Sequence, residues 1–173
     1  SILLRKKEDQ DSWKGILGAV ADILEPEPRY EIPLEAVLGP RLQALIVESG
    51  REGMEAIDFL RRESLGRAHF IPREIRGKEF EVQTAILSAE EGMAAPLLRF
   101  VKVKENFTPV AAFLIGGIGV VESREEVLHW MERAGRFHTL VTLEGDIFER
   151  SGFMSGGSRD QGLGLLERRR EIR

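Results

Sequence analysis

Four glycines at fixed offsets in residues 145–157 constrain the fold of this chain most. The stretch reads GDIFERSGFMSGG, with glycine at positions 145, 152, 156 and 157. Glycine has no Cβ, so it accepts a positive φ and lets another backbone segment approach closely. The β-branched, apolar residues 138–143 before the run, and Ile147 with Phe148 inside it, predict two short strands. We therefore expect the glycines to lie at the turns of a small sheet, at a place where another backbone segment packs against it.

The first half of the sequence predicts a strand–helix–strand unit. Residues 42–47 (LQALIV) are typical of a buried strand, and Gly66 ends a helix predicted over 53–62. That helix places Met54, Ile57, Phe59 and Leu60 at mostly helical spacing. Residues 67–72 predict a further strand that ends at a proline. A short helix over 33–39, with proline in its first turn and glycine after its last, precedes the unit.

The second half repeats this order of signals without a close sequence repeat. Residues 77–87 predict a strand, and the small, polar, proline-terminated stretch 88–96 is expected to separate two lobes. Strands are then predicted over 97–103, 118–121 and 138–143, with helices over 109–115 and 124–134. The alternation favours sheets covered by helices.

Charge is distributed unevenly along the 173 residues. The formal net charge is −4, but residues 1–7 carry +3 and residues 168–173 carry +3, so the remaining 160 residues carry −10. Because phosphate binding needs clustered Lys and Arg, nucleic-acid contact is expected only at the ends or at local patches. The chain has no Cys, which excludes disulfides and cysteine-based zinc sites. With no signal peptide and no apolar run near 18 residues, it is expected to be cytoplasmic.

No motif in the sequence carries catalytic chemistry. Residues 114–119 (LIGGIG) superficially resemble a dinucleotide-binding loop, but the glycines precede a strand and Glu122 stands where the third glycine should be. A tight turn into a buried strand is the favoured interpretation. The alternative is a small-ligand or nucleotide-binding α/β enzyme domain that uses the Gly116–Gly119 turn. The three histidines lie far apart in sequence, so no catalytic residue and no metal ligand is predicted.

The glycine pattern, set in VTLEGDIFERSGFMSGG, resembles the signature of the hinge domain of SMC proteins, the structural maintenance of chromosomes family. The resemblance extends over nearly the whole chain. It includes GAVADIL, LEAVLG followed by LQALIV, EAIDFLRRESLGRAHFIP, and IGGIGVVESREEVL, in the order and spacing of such hinges. The trailing SGGSRDQGLGLLERRREIR looks most like the bacterial or archaeal homodimeric branch.

This resemblance implies an α+β fold of two mixed lobes at the far end of a long antiparallel coiled coil. Residues 1–12 would be a coiled-coil end, 13–92 lobe I, 93–160 lobe II, and 161–173 the start of the returning coiled coil. Two hinges would pair into a ring-like homodimer that joins two chains of a condensin-like, nucleoid-associated ATPase. The hinge itself would carry no catalysis and no cofactor, because ATP and Mg would bind at head domains outside these residues. Weak DNA contact without sequence preference is also implied.

Two sets of residues are predicted to carry this function. We expect Gly156 and Gly157 to lie at the dimer seam, with Gly145 and Gly152 shaping the turn that delivers them, because strand edges can pair across two chains. The second set would converge into a basic collar that contacts DNA if both chain ends belong to one coiled coil; the alternative is that these residues only solubilise the coiled-coil root. They are Arg5, Lys6, Lys7, Arg168, Arg169 and Arg170.

Overall fold

The computed structural model describes residues 15–74, 94–131 and 137–157. Within these residues the chain forms ten short strands and four α-helices, joined in places by 3-10 turns. The strands are β1 (Ile16–Ala19), β2 (Leu24–Pro26), β3 (Leu45–Val47), β4 (Phe70–Pro72), β5 (Ala95–Pro96), β6 (Val101–Val103), β7 (Ile118–Val121), β8 (Thr139–Thr142), β9 (Ile147–Glu149) and β10 (Met154–Ser155). The α-helices are α1 (Glu31–Leu38), α2 (Gly50–Arg62), α3 (Thr108–Ile115) and α4 (Arg124–Met131). The predicted coiled-coil segments 1–12 and 161–173, and the strand predicted over 77–87, lie outside the described residues.

The predicted strand–helix–strand unit of the first half is confirmed. Strands β3 and β4 are parallel and α2 connects them, while β1 pairs antiparallel with the other side of β3. All three residues of β3 are buried. This is the continuous apolar character expected of the central strand in a sheet covered by helices.

Helix α2 presents small residues to the sheet, which the spacing of its large apolar residues did not indicate. Gly53, Ala56 and Leu60 are its buried residues, whereas Met54 is 69% exposed and Ile57 is 43% exposed. A Cβ on Gly53 would lie 3.6 Å from Val47 Cγ2, so the helix backbone runs close to β3. The close approach selects small side chains for the inward face and leaves Met54 and Ile57 outside.

The second half contains a matching unit within a larger sheet. Strands β7 and β8 are parallel and joined through α4, and the sheet order is β10-β9-β8-β7-β5. Every residue of β7 and β8 is buried. Val127 of α4 packs with Val121 and Leu140 on one face of this sheet. Val141, which follows Leu140 in β8, belongs to the main hydrophobic core. The two strands β7 and β8 are therefore covered on both faces, whereas β10 of the same sheet is exposed.

The two halves share one hydrophobic core. Strand β2 pairs antiparallel with β6, and the largest cluster of buried side chains combines residues such as Val20 and Leu34 with Leu97 and Val141. The proposed lobes 13–92 and 93–160 thus meet through a two-stranded sheet as well as through side chains. The boundary between them stays a prediction.

Two of the predicted strands are preceded by 3-10 turns where strand was expected. Residues Gly39–Gln43 and Leu97–Phe100 form 3-10 turns, so the strands are confined to β3 and to β6. Proline fixes φ near that of a tight turn and has no N–H for a strand ladder, and Pro40 and Pro96 stand at these points. Leu42 and Leu97 are nevertheless buried. The apolar character of these segments therefore indicated that they are buried, and not that they form a strand.

Candidate functional site at the sheet edge

The glycine run forms two consecutive turns around β9. Gly145 has a φ of +91°, and its N–H donates to the Thr142 carbonyl at 3.0 Å. A Cβ at this position would stand 3.2 Å from Ile32 Cγ2 and 3.3 Å from Ala36 Cβ, because α1 packs directly on the turn. Both the backbone conformation and the lack of room therefore require glycine here.

The second turn reverses the chain from β9 into β10. Gly152 has a φ of +94°, and its N–H donates to the Glu149 carbonyl at 2.9 Å. The Ser151 hydroxyl donates to the Glu149 carboxylate at 3.1 Å and closes the turn from outside. No atom lies within 4 Å of a Cβ built on Gly152, so here the turn conformation alone explains the glycine.

Among the residues that the structure describes, strand β10 is an edge of the five-stranded sheet, and only β9 pairs with it. It pairs antiparallel with β9 so that Met154 is opposite Phe148 and Ser155 is opposite Ile147. The Glu149 N–H donates to the Phe153 carbonyl at 2.8 Å. Hydrogen-bonded and non-hydrogen-bonded residue pairs alternate along antiparallel strands, so the N–H and C=O of Met154 point away from β9. The same alternation directs the main chain of Gly156 outward.

The edge is also exposed and apolar. All residues of 151–157 are exposed, and the side chains of Phe153 and Met154 are 59% and 56% accessible. The other edges of the two larger sheets are blunted, since β4 and β5 each end in proline and β1 carries a register shift next to Gly18. Among these edges, β10 alone has neither proline nor bulge.

The Gly156-Gly157 pair runs past the side chain of Asp146. Asp146 is only 4% exposed, and its Oδ1 accepts the Gly157 N–H at 3.2 Å. A Cβ on Gly156 would clash with the same oxygen and stand 2.8 Å from Asp146 Cγ. The other carboxylate oxygen, Oδ2, accepts the Arg124 Nε–H at 2.7 Å and lies 2.6 Å from Arg124 Nη2. The bare backbone of the edge is thus shaped by an ion pair whose carboxylate is buried and whose guanidinium is exposed.

The glycines at 116–119 do not form a ligand loop. Gly119 lies within the fully buried strand β7, where a Cβ would stand 2.7 Å from both Leu140 Cδ2 and Phe137 Cδ2. A Cβ on Gly117 would clash with the imidazole ring of His138. Side chains of the protein itself therefore fill the space that a bound nucleotide would use, which disfavours the alternative enzyme domain.

The structure brings the four predicted glycines together in one region, at the turns and the free edge around β9. The six basic residues predicted for DNA contact lie outside the described residues. Sequence reasoning missed Asp146 and Arg124, whose only signal was the carboxylate that directly follows Gly145 in the turn. Within 15–74, 94–131 and 137–157, no three His, Cys, Asp or Glu residues are grouped as a metal ion would require. No helix among the described residues is long and apolar enough to span a bilayer.

Fold and edge together define a class, a small α+β domain that offers a strand edge for association. Comparison with known proteins gives the family. The family model described as "SMC proteins Flexible Hinge Domain" matches residues 13–130. The chain belongs to this family of SMC hinge domains, which confirms the family and the α+β hinge fold predicted from the sequence. As a hinge domain it is a non-catalytic part of its protein.

Individual relatives extend the similarity beyond the residues that the family model matches. The chain is 37% identical over 163 residues to the chromosome partition protein Smc of Myxococcus xanthus and 31% identical over 174 residues to that of Desulfitobacterium hafniense. These alignments cover 92% and 99% of this chain but 13% and 14% of the relatives, so the chain spans about an eighth to a seventh of their length.

Solved SMC hinge structures show the same fold. An asymmetric dimer of the Geobacillus stearothermophilus SMC hinge domain superposes with a TM-score of 0.73 at 25% identity, covering 97% of this chain and 68% of that one. The Pyrococcus furiosus SMC hinge domain gives a TM-score of 0.72 at 25% identity, covering 92% of this chain and 82% of that one. The glycine run lies beyond the match to the family model, so its role depends on the geometry described above.

Proposed function

We propose that this chain is the dimerisation hinge of a chromosome-partitioning SMC protein, and that two identical copies meet through strand β10. The family membership and the dimeric Geobacillus stearothermophilus hinge support association between hinges. The observation that carries the proposal for this chain is the open edge of β10, whose outward backbone groups are free to continue a ladder in a second copy.

The side chains of the edge favour burial in such a contact. Phe153 and Met154 follow each other at the edge, and each has more than half of its surface exposed. Exposed apolar residues on a strand with unpaired backbone groups are an aggregation hazard unless a specific partner covers them. Gly156 and Gly157 let a second backbone approach, since neither projects a side chain toward it.

Substitution of Met154 by lysine tests this edge. Met154→Lys adds a charge that the monomer leaves in water but that a paired edge would bury, so the dimer should weaken by at least about tenfold in Kd, which is about 1.4 kcal/mol. Light scattering after size exclusion, over a range of protein concentrations, measures the dimer fraction. Gly156→Glu is a poorer test, because a side chain at 156 clashes with Asp146 within the monomer itself.

Leu128→Lys on α4 is the matched control, since Leu128 is 68% exposed and belongs to a helix and not to the β10 edge. It should leave both the dimer and the melting temperature unchanged. Three results would contradict the proposal: wild type that stays monomeric at high concentration, Met154→Lys that dimerises like wild type, or equal loss of the dimer in Leu128→Lys.

The length of its relatives supports a proposal for the place of the hinge in a full-length protein. The chromosome partition proteins that it resembles are seven to eight times longer than the matched segment. We propose that ATP and Mg bind to head domains elsewhere in the full-length protein, in the cytoplasm at the nucleoid, and that the hinge links two such chains. The hinge contributes the connection and no chemistry.

We propose weak DNA contact without sequence preference as a second role of the hinge. Its support is the charge distribution, in which basic clusters at residues 1–7 and 168–173 flank an acidic body. Lys and Arg clusters bind phosphates without regard to base sequence.

A further inference from the structure

We propose that Asp146 and Arg124 act as positioning residues for dimerisation: their ion pair holds the end of β10 in the conformation that receives the second copy. We call this ion pair, with the Gly157 N–H that it holds, the Asp146 latch. The inference rests on the proposed dimerisation through β10, and it assigns a role to two residues outside the glycine pattern.

The two oxygens of the Asp146 carboxylate are bound to different segments of the chain. Oδ2 accepts the Arg124 Nε–H at 2.7 Å and lies 2.6 Å from Arg124 Nη2, and Oδ1 accepts the Gly157 N–H at 3.2 Å. The Asp146 N–H donates to Thr142 Oγ1 at 3.1 Å, and Thr142 is fully buried at the end of β8. The carboxylate therefore ties the start of α4, the turn after β8 and the chain beyond β10 to one point.

The carboxylate and Gly156 fit each other. Asp146 fills the space that a side chain at 156 would take, so the backbone after β10 can lie directly against the carboxylate. The hydrogen bond to Gly157 then fixes the direction in which the chain leaves the strand. Without it, the two residues of β10 are held only by their short ladder with β9, since no other strand among the described residues pairs with β10.

General stabilisation does not account well for this arrangement. Asp146 is 6% exposed at its side chain while Arg124 is 69% exposed, and removing a carboxylate from water costs free energy that an ion pair often does not return. Arg124 is also the first residue of α4, where the helix dipole disfavours a positive charge. What the pair does provide is a fixed position for the Gly156-Gly157 backbone. Because β10 must match a second backbone to form a ladder, fixing its end beforehand reduces the ordering cost of pairing.

Asp146→Asn in the full 173-residue chain tests the latch. The amide keeps the shape of the side chain but loses the charge that holds Arg124. The dimer Kd should rise about tenfold, the factor that corresponds to about 1.4 kcal/mol. Hydrogen exchange of the Gly157 amide, measured by NMR at a concentration where the chain is monomeric, should speed up, while the Thr142 amide at the end of β8 stays protected. A purely structural role would instead lower the protection of both amides.

Arg124→Gln serves as the second variant, because it leaves the Asp146 carboxylate in place and decides the question if Asp146→Asn does not fold. It should also weaken the dimer about tenfold, and the double variant should be no worse than either single one, since both remove the same pair. Glu122→Gln is the control: it breaks the exposed Arg29–Glu122 ion pair, 2.7 Å long, near the start of the same helix. It should not change the Kd.

Failure of the latch and failure of the proposed dimerisation give different results. If wild type dimerises and both latch variants dimerise equally well, the latch is wrong and the proposed function stands. If wild type is monomeric at all concentrations, the proposed function itself is wrong. Unchanged exchange of the Gly157 amide in both variants would also overturn the latch.

Discussion

At the scale of single residues, glycines that look alike in the sequence serve different purposes. Gly119 is buried in β7 beneath Leu140 and Phe137, so it has no room for a side chain. Gly152 has open space but a φ that side chains disfavour. At Gly156, the Asp146 carboxylate fills the space that a side chain would take. Of these three, Gly156 lies next to the edge proposed to meet a second copy.

Gly119→Ala should therefore destabilise the monomer. The new methyl group would stand 2.7 Å from Leu140 Cδ2 and from Phe137 Cδ2, and forcing extra atoms into a packed core costs about 1–3 kcal/mol. Denaturant unfolding measures the loss. Gly50→Ala is the matched control, because a Cβ there meets nothing within 4 Å at the start of α2, and it should be neutral or slightly stabilising. Equal effects of the two substitutions would show that the packing at Gly119 is not as described.

At the scale of elements, α2 shows how a local signal sets a helix start. Ser49 has extended backbone, and its Oγ accepts the Arg51 N–H at 3.2 Å. The same hydroxyl donates to the Glu52 carboxylate, so Ser49 and Glu52 stand in the S-x-x-E arrangement of a capping box. Chiefly through this hydroxyl hydrogen bond, the pKa of Glu52 lies below its ordinary value of 4.5.

Ser49→Ala should cost about 1 kcal/mol of unfolding free energy at pH 7, because it removes the N-cap. It should also raise the pKa of Glu52 toward 4.5. A carboxyl with a lowered pKa in the folded state stabilises the fold above its unfolded pKa, and this contribution disappears as the pH falls through the folded value. The difference between wild type and Ser49→Ala should therefore shrink below about pH 4.5.

Urea unfolding at pH 7 and at pH 3 measures both parts of that prediction. Ser49→Asp is the control, since aspartate is an equally good N-cap residue and should keep most of the stability at pH 7. A difference between wild type and Ser49→Ala that stays the same at both pH values would exclude the link to Glu52.

At the scale of the whole molecule, the proposed association edge and the basic clusters occupy different parts of the sequence. The β10 edge lies on the acidic body, whereas the basic residues cluster at residues 1–7 and 168–173. DNA is a polyanion, so the body should repel it and the basic ends should attract it.

Reversing both basic clusters to glutamate should weaken DNA binding and flatten its salt dependence. The residues are Arg5, Lys6, Lys7, Arg168, Arg169 and Arg170. Each lost phosphate contact should reduce the slope of log K against log salt by about 0.9. Fluorescence anisotropy with duplex DNA at several salt concentrations measures both quantities. Charge reversal of Arg51, Arg61 and Arg62, which are exposed on α2, is the control and should have a smaller effect. Equal affinity of wild type and the end variant at low salt would reject the collar.

Most elements could be predicted from the sequence because their signals are local. Prolines and glycines bound α1, α3 and the turns of the glycine run, and runs of β-branched residues mark β7 and β8. The inward face of α2 could not be predicted, because the short distance between the helix and the sheet leaves room there only for small side chains. The 3-10 turns before β3 and β6 were mistaken for strand because burial alone makes both kinds of segment apolar.

The sequence by itself determined the family, the α+β class and the glycine positions, because each of these depends on patterns and spacings of residues that are close in sequence. Only the tertiary structure decided which glycines face outward and which strand edge stays open. It alone placed Arg124, from 22 residues earlier in the chain, against Asp146. The physical reason is that a strand edge and an ion pair both depend on contacts between segments that are distant in sequence. Neither exists until the sheet order and the packing of α4 have brought those segments together.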